Sequence, residues 1–348
     1  MRATRSTWLN LQTLGEPTPE LVRATRNLSP VVAQVLHNRG IDARQAPTFL
    51  APEQARGHDP FLLLGMKAAV ERLFKARRNQ ELVALYGDLD VDGIAAVAVL
   101  ANACELVGIK AYPYFLNGTS RGCDLDGSTL RDLAARGARV VVTADCGISS
   151  VGAAPAAKDC GLDLIVTDHH LPPERLPDAL AVIDPRQPGC PYPNKDLAGV
   201  GVAFKLARAL LSAVGARAGC ARTLLDLVAI GTIADMVPLI DENRLLVWQG
   251  MRVLNTTTRP GLQALIARGG LRMGSITSTD VSYRLCPRLN AAGQDDHGSL
   301  GYDILMTQDG EAADLLAHRL QEKHAARQSL AQQVLDTVHQ QLAIDTGS

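Results

Sequence analysis

Short β-rich runs that alternate with helical stretches constrain this chain more than any other feature. A helical pattern from Lys67, AAVERLFKARR, leads into ELVALYGDLDVDG, where an apolar run ends in carboxylates. Then IAAVAVLANACELV reads as helix, IKAYPYFL as strand, STLRDLAARG as helix and ARVVVTADC as strand. VGAAPAAKDC is helical again, and LDLIVTDHH and ALAVIDP are further strands. Strands separated by helices must run parallel, with the helices as crossovers. The expected fold class is therefore α/β, a doubly wound, mainly parallel sheet with helices on both faces. Ligands bind such sheets at the carboxyl ends of the strands. Three of these strands end there in acidic or imidazole side chains.

After Asp184 the pattern changes, because VGVAFKLARALLSAV, LLDLVAIGTIADMVPL and NRLLVWQGMRVLN all read as helices. A mainly helical second half follows the sheet. Glu311 to Ile344 holds neither Gly nor Pro, so the tail reads as one long C-terminal helix of about 50 Å. At 348 residues, 47% hydrophobic and 20% charged, the chain is expected to bury a large core as an ordered globular protein. It contains no uninterrupted apolar run of membrane-spanning length, and MRATRSTWLN has no apolar signal region. The expectation is a cytoplasmic protein with no membrane association. Cys104, Cys123, Cys146, Cys160, Cys190, Cys220 and Cys286 form no C-x-x-C pair, which argues against a zinc cage or a disulfide framework. A net charge of −1 provides no general basic footprint, so affinity for nucleic acid would need a local patch or bound cations. The basic run Lys75, Arg77 and Arg78 reads as a solvated helix face.

Asp88, Asp90 and Asp92 alternate with Leu89 and Val91, and a strand-like period would put all three carboxylates on one side. So many like charges repel unless a cation neutralises them; the plain alternative is a solvated acidic turn. A calcium-binding EF-hand loop shares the D-x-D-x-D-G start but fails here, since its twelfth position is Val99 and a strand precedes it. Asp145 ends the run VVVTA and is either part of a site or a simple turn or helix cap. Asp168, His169 and His170 follow LDLIVT. Imidazole beside carboxylate suits a divalent transition metal, and a neighbouring Asp commonly orients a ligating His. Asp235 lies within LLDLVAIGTIADMVPL and needs either a metal or water at a helix end. In CPRLNAAG, Arg288 and Asn290 flank a turn-like stretch, where a cationic group could hold phosphate. Taken together, oxygen ligands and imidazole from several strand ends describe a two-metal centre for hydrolysis of a phosphate ester by water.

GDLDVDG, TADCGIS, TDHH, LAGVGVAFKL, GTIADMVPL with ENR, and PRLNAAG stand here in the order found in RecJ-like proteins of the DHH phosphoesterase superfamily. The chain resembles that family over about residues 28–330. The resemblance implies a metal-dependent 5′→3′ exonuclease on single-stranded DNA, using two Mn²⁺ or Mg²⁺ ions, in recombination and repair. It implies metal ligation by Asp90, Asp92, Asp145, His169 and Asp235, with Asp88 and Asn290 just outside that set. His170, Arg288 and Asp168 would take catalytic roles, His170 facing the scissile phosphate and Arg288 neutralising it. On the same basis residues 1–60 form an N-terminal cap, 61–305 the catalytic domain and 306–348 a connector helix. The chain departs from the family in FLNGTSRGCDLDG, where an Arg and a Gly-Tyr-Gly segment are usual, and in Gln294, where an Arg is usual. It also ends before the family's second substrate-binding domain and oligonucleotide-binding barrel, as a fragment or a shortened relative would. Two other functions fit the residues: a phosphodiesterase for short oligonucleotides or cyclic dinucleotides, and a catalytically weak scaffold that binds DNA or repair proteins.

Overall fold

The structure, a computed structural model, describes residues 15–115, 125–291 and 299–345. Cys123, Gln294 and most of the FLNGTSRGC segment lie outside the described residues. The backbone divides into two units, Met1–Arg56 and Gly57–Ser348. The first holds helices α1 (Pro19–Ala24), α2 (Pro30–Asn38) and α3 (Ala46–Leu50), each with a proline in its first two positions. A proline there has its φ preset for the helix and lacks only an N–H that the first turn leaves unpaired anyway.

The second unit opens with α4 (Met66–Asn79) and the parallel sheet. Its strands are β1 (Leu82–Gly87), β2 (Ala111–Phe115), β3 (Ala138–Ala144), β4 (Asp163–Thr167) and β5 (Ala181–Ile183). They lie in the order β2-β1-β3-β4-β5, every pair parallel. The crossovers are α5 (Val91–Val107), α6 (Gly127–Ala135) and α7 (Ala153–Asp159). Val83 and Leu85 of β1 join the larger core with α5, while Ala84 and Tyr86 join the smaller core with α6 and α7. Both faces of the sheet are thus covered, which is why its strands are continuous apolar runs without polar alternation.

The helical half comprises α8 (Gly199–Ala213), α9 (Ala218–Arg222), α10 (Leu225–Ala234), α11 (Asp241–Leu254) and α12 (Pro260–Arg268). It continues with α13 (Ser278–Asp280), α14 (Cys286–Asn290), α15 (Ser299–Met306) and α16 (Gly310–Asp345). At 36 residues, α16 is about 54 Å long. Helix α5 packs on β1, α8 and α10, and is buried on nearly every side. The switch in strand order falls between β1 and β3, so their carboxyl ends open a crevice beside the start of α5.

Three local readings differ from expectation. The strand period does not reach the three aspartates: β1 stops at Gly87, Asp90 caps α5, and Asp92 is already helical. The helix read through GTIADMVPL stops at Ala234, ahead of Pro238, which cannot continue it. CPRLN opens as helix: Cys286–Asn290 is helical, follows a π-helical turn at Val281–Leu285, and carries its proline where a first turn tolerates one, while the last two residues of CPRLNAAG lie outside the described residues.

Candidate metal centre

The carboxyl end of β1 delivers the first acidic groups. Asp90 accepts a hydrogen bond from Gly93 N at 2.9 Å as the N-cap of α5. Asp88 lies tight against Gly93, where a Cβ would come within 2.6 Å of the Asp88 side chain. Asp92 is 1% exposed, and its two carboxylate oxygens accept from Gly199 N at 2.8 Å and Val200 N at 3.0 Å, the first amides of α8. The positive end of that helix therefore faces the carboxylate. Gly231 of α10 leaves room on the other side, since a Cβ there would lie 2.7 Å from Asp92 Oδ1.

Strands β3 and β4 deliver the rest. Asp145 has φ +64, and its N–H bonds Thr167 O at 3.0 Å, joining the ends of the two strands. Its carboxylate is buried against Gly199, whose missing Cβ would otherwise sit 2.2 Å from Asp145 Oδ1. His169, also buried, places Nε2 3.1 Å from Asp145 Oδ1 and 3.6 Å from Oδ2 of Asp235, the C-cap of α10. None of those three atoms has a hydrogen-bond partner. Buried polar atoms are nearly always paired, so three orphans from three elements, turned toward one another, form a ready donor set for a cation.

Within 4.8 Å limits the ligand atoms group as Asp92 with His169 and Asp235, as Asp88 with Asp90 and Asp145, and as Asp145 with His169 and His170. Burial, reinforced by neighbouring carboxylates, pushes Asp92 and Asp145 well above the usual carboxylate range. Burial also raises Asp90, against the bond from Gly93. Without a counter-ion these groups resist ionisation; a divalent cation would reverse that.

Asp168 serves the site from behind. It accepts from Ile148 N at 2.8 Å, from His169 N at 2.7 Å and from His170 N at 3.2 Å. Burial works against its ionisation, but the hydrogen bonds from His170 and Ile148 hold it below its ordinary value. In turn, His170 Nδ1 lies 2.8 Å from Asp168 Oδ1, and that bond pushes the imidazole up to about 9. The His170 side chain is half-exposed.

Asn290 Oδ1 accepts from Val91 N at 3.2 Å, which fastens α14 to the acidic loop. Arg288, expected to neutralise a phosphate, is held by α16 and by its own helical segment. Among the described residues its Nε donates to Gln321 Oε1 at 2.7 Å and its Nη1 to Arg284 O, with no ion pair to the carboxylates. Sequence reasoning passed over Asp184, fully buried at the end of β5, with one oxygen taking Arg186 N at 2.6 Å and the other unpartnered. Burial pushes it up to about 7. ALAVIDP carried the same signal as VVVTAD, a carboxylate closing an apolar strand.

Residues 82–232 match the DHH family, N-terminal domain. The chain is 40% identical over 311 residues to the single-stranded-DNA-specific exonuclease RecJ of Bacillus subtilis, covering 89% of this chain and 39% of that protein. To the RecJ of Escherichia coli it is 36% identical, covering 88% of this chain and 54% of the relative. The crystal structure of RecJ with Mn²⁺ from Thermus thermophilus superposes with a TM-score of 0.76 at 28% identity, covering 91% of this chain and 45% of that one. The chain thus spans about half the length of the curated relatives it matches, or less. Among the described residues no helix is long and apolar enough to cross a membrane.

Proposed function

For this chain, which belongs to the DHH family, we propose hydrolysis of phosphodiester bonds in single-stranded DNA, from the 5′ end, at a centre that holds two Mn²⁺ or Mg²⁺ ions. The observation that carries this is the meeting of Asp145 Oδ1, His169 Nε2 and Asp235 Oδ2, buried and unpartnered. Relatives named as single-stranded-DNA-specific exonucleases, and structures of RecJ in complex with Mn²⁺ and Mg²⁺, support the same reading.

Asp92, His169 and Asp235 would hold one ion and Asp88, Asp90 and Asp145 the other, Asp145 also lying beside His169 of the first set. Bound divalent ions polarise a phosphoryl oxygen and lower the pKa of a coordinated water. The remaining work falls to the chain. Asp92 is kept in place by two amides of α8, so its position is set by the helix rather than by the ligand. Asp168 fixes the backbone of both histidines and holds a proton on His170 Nδ1, leaving Nε2–H to donate to a phosphate oxygen as charge develops. Water is the nucleophile, and no side chain is consumed.

The deciding experiment combines calorimetric titration with Mn²⁺ and hydrolysis assays on a 5′-phosphorylated single strand, its duplex and a dinucleotide. Metal-dependent release of mononucleotides from the single strand is expected. Cleavage of the dinucleotide alone would move the reading to small substrates, and Mn²⁺ binding without hydrolysis would make the chain a scaffold.

A further inference from the structure

Four non-glycine residues among those described occupy the left-handed backbone region: Gln80, Asp145, Met236 and Asp241. Three of them use their side chains. Gln80 donates to Arg77 O, Asp241 pairs with His58, and Asp145 belongs to the metal centre. Met236 is different. It follows Asp235, the C-cap of α10, with φ +62, and its side chain is 85% exposed. The position after a helix C-cap is the one where glycine relieves strain, because a Cβ in this conformation crowds the backbone. Here an apolar side chain bears that strain without being repaid by burial. Neither packing nor backbone preference accounts for a methionine there.

Its place in the molecule does. Met236 is one residue from Asp235, and Leu171, 76% exposed, is one residue from His170. Asp235 Oδ2 and His169 Nε2 are 3.6 Å apart, so two exposed apolar residues adjoin the centre along the chain, on the separate segments that follow α10 and β4. A phosphate held at the cations carries its sugar and base outward, toward the rim. Methionine is flexible, and its sulfur makes favourable contacts with aromatic rings.

On the reading of this centre as one for single-stranded DNA, we propose that Met236, together with Leu171, is the apolar contact for the nucleobase or sugar next to the scissile phosphate. The contact is indifferent to base identity, since every base has an apolar face. It acts on substrate binding, through KM.

The test uses Met236→Gly and Met236→Leu in the full chain. Binding of a fluorescent 5′-phosphorylated hexathymidylate is read by anisotropy with Ca²⁺ in place of Mn²⁺, and KM and kcat are read with Mn²⁺. Met236→Gly should weaken binding and raise KM by roughly fivefold, about 1 kcal/mol, with a smaller change in kcat. Its Tm should be unchanged or higher, as glycine suits the backbone, and its Mn²⁺ affinity should stay close to that of the parent. Met236→Leu should restore binding. An unchanged Kd and KM in the glycine variant would overturn the proposal, as would a clear drop in Tm, which would make Met236 a packing residue. Failure of the parent chain to bind the hexathymidylate would also overturn it. Failure of the wider reading looks different: the parent would then neither bind Mn²⁺ nor cleave any single strand.

Discussion

Replacing Gly199 by alanine tests whether the metal centre depends on a space that only glycine leaves. A Cβ at this position would lie 2.2 Å from Asp145 Oδ1, whereas real Cβ contacts do not fall below 3.0 Å, so the carboxylate must retreat by about 0.8 Å. Metal–ligand distances tolerate deviations of only about 0.2 Å. The displacement is several times larger, and Asp145 belongs with Asp88 and Asp90 while also lying beside His169. Affinity for Mn²⁺ should therefore fall by about tenfold or more, the scale seen when a ligand loses its orientation. Stability should change less. Overpacking costs about 1–3 kcal/mol, and exchanging a helical glycine for alanine returns up to about 1 kcal/mol, for a net loss of about 0–2 kcal/mol. Calorimetric titration with Mn²⁺ and a thermal melt measure both quantities. Gly219→Ala is the control, because nothing lies within 4 Å of a Cβ there. A Gly199→Ala protein that melts near the parent and binds Mn²⁺ within about twofold of it would refute the clearance argument.

Three further outcomes are expected. Burial, then Asp90 and other carboxylates, raises Asp145 in the fold, so the metal-free protein should lose stability as pH rises above about 4, where the unfolded chain ionises. That loss levels off past the folded pKa; Asp145→Asn should escape the part of it that Asp145 causes, melting above the parent near neutral pH by a margin that shrinks toward about pH 4, as scanning fluorimetry at several pH values will read. His170→Ala should keep most Mn²⁺ affinity and slow turnover by about 10²–10⁴-fold, while Asp92→Ala should lose the metal; equal loss of binding in titrations of both would contradict this division. Lys205 and Glu242 form a fully buried ion pair, which Tyr192 extends through Glu242. Lys205→Met should cost about 3–5 kcal/mol by stranding the carboxylate, and adding Glu242→Gln should recover much of it, as denaturant midpoints will tell.

The sheet was legible because buried parallel strands must be unbroken apolar runs, and VALYG, VVVTA and LDLIVT have few other ways to be satisfied. The ends of elements were less so. Nothing in the alternation of Asp88, Asp90 and Asp92 says that the strand closes at Gly87; Asp90 with Gly93 is a capping signal that competes with it, and the cap prevails. His169 and Asp235 could be named from their residue types, but not the contact between them, which depends on α10 reaching the end of β4. Asp184 was overlooked although it follows a strand as Asp145 does. CPRLN is helical, and Pro287 near the start of that helix is no obstacle to it. Arg288 could not have been placed from sequence, since its partner Gln321 belongs to the last helix.

Asp92 has two duties that cannot be separated. The same carboxylate belongs to the ligand cluster and holds the first two amides of α8, and Gly231 of α10 closes over it. A shift in where α8 begins, from an insertion before Gly199 or a change in the LAGVG turn, would therefore be transmitted to the cations as a ligand displaced. Conversely, no residue but a carboxylate can serve both partners at once. Around this point the chain has little freedom to drift: a substitution that is harmless to the helix must also be harmless to the chemistry.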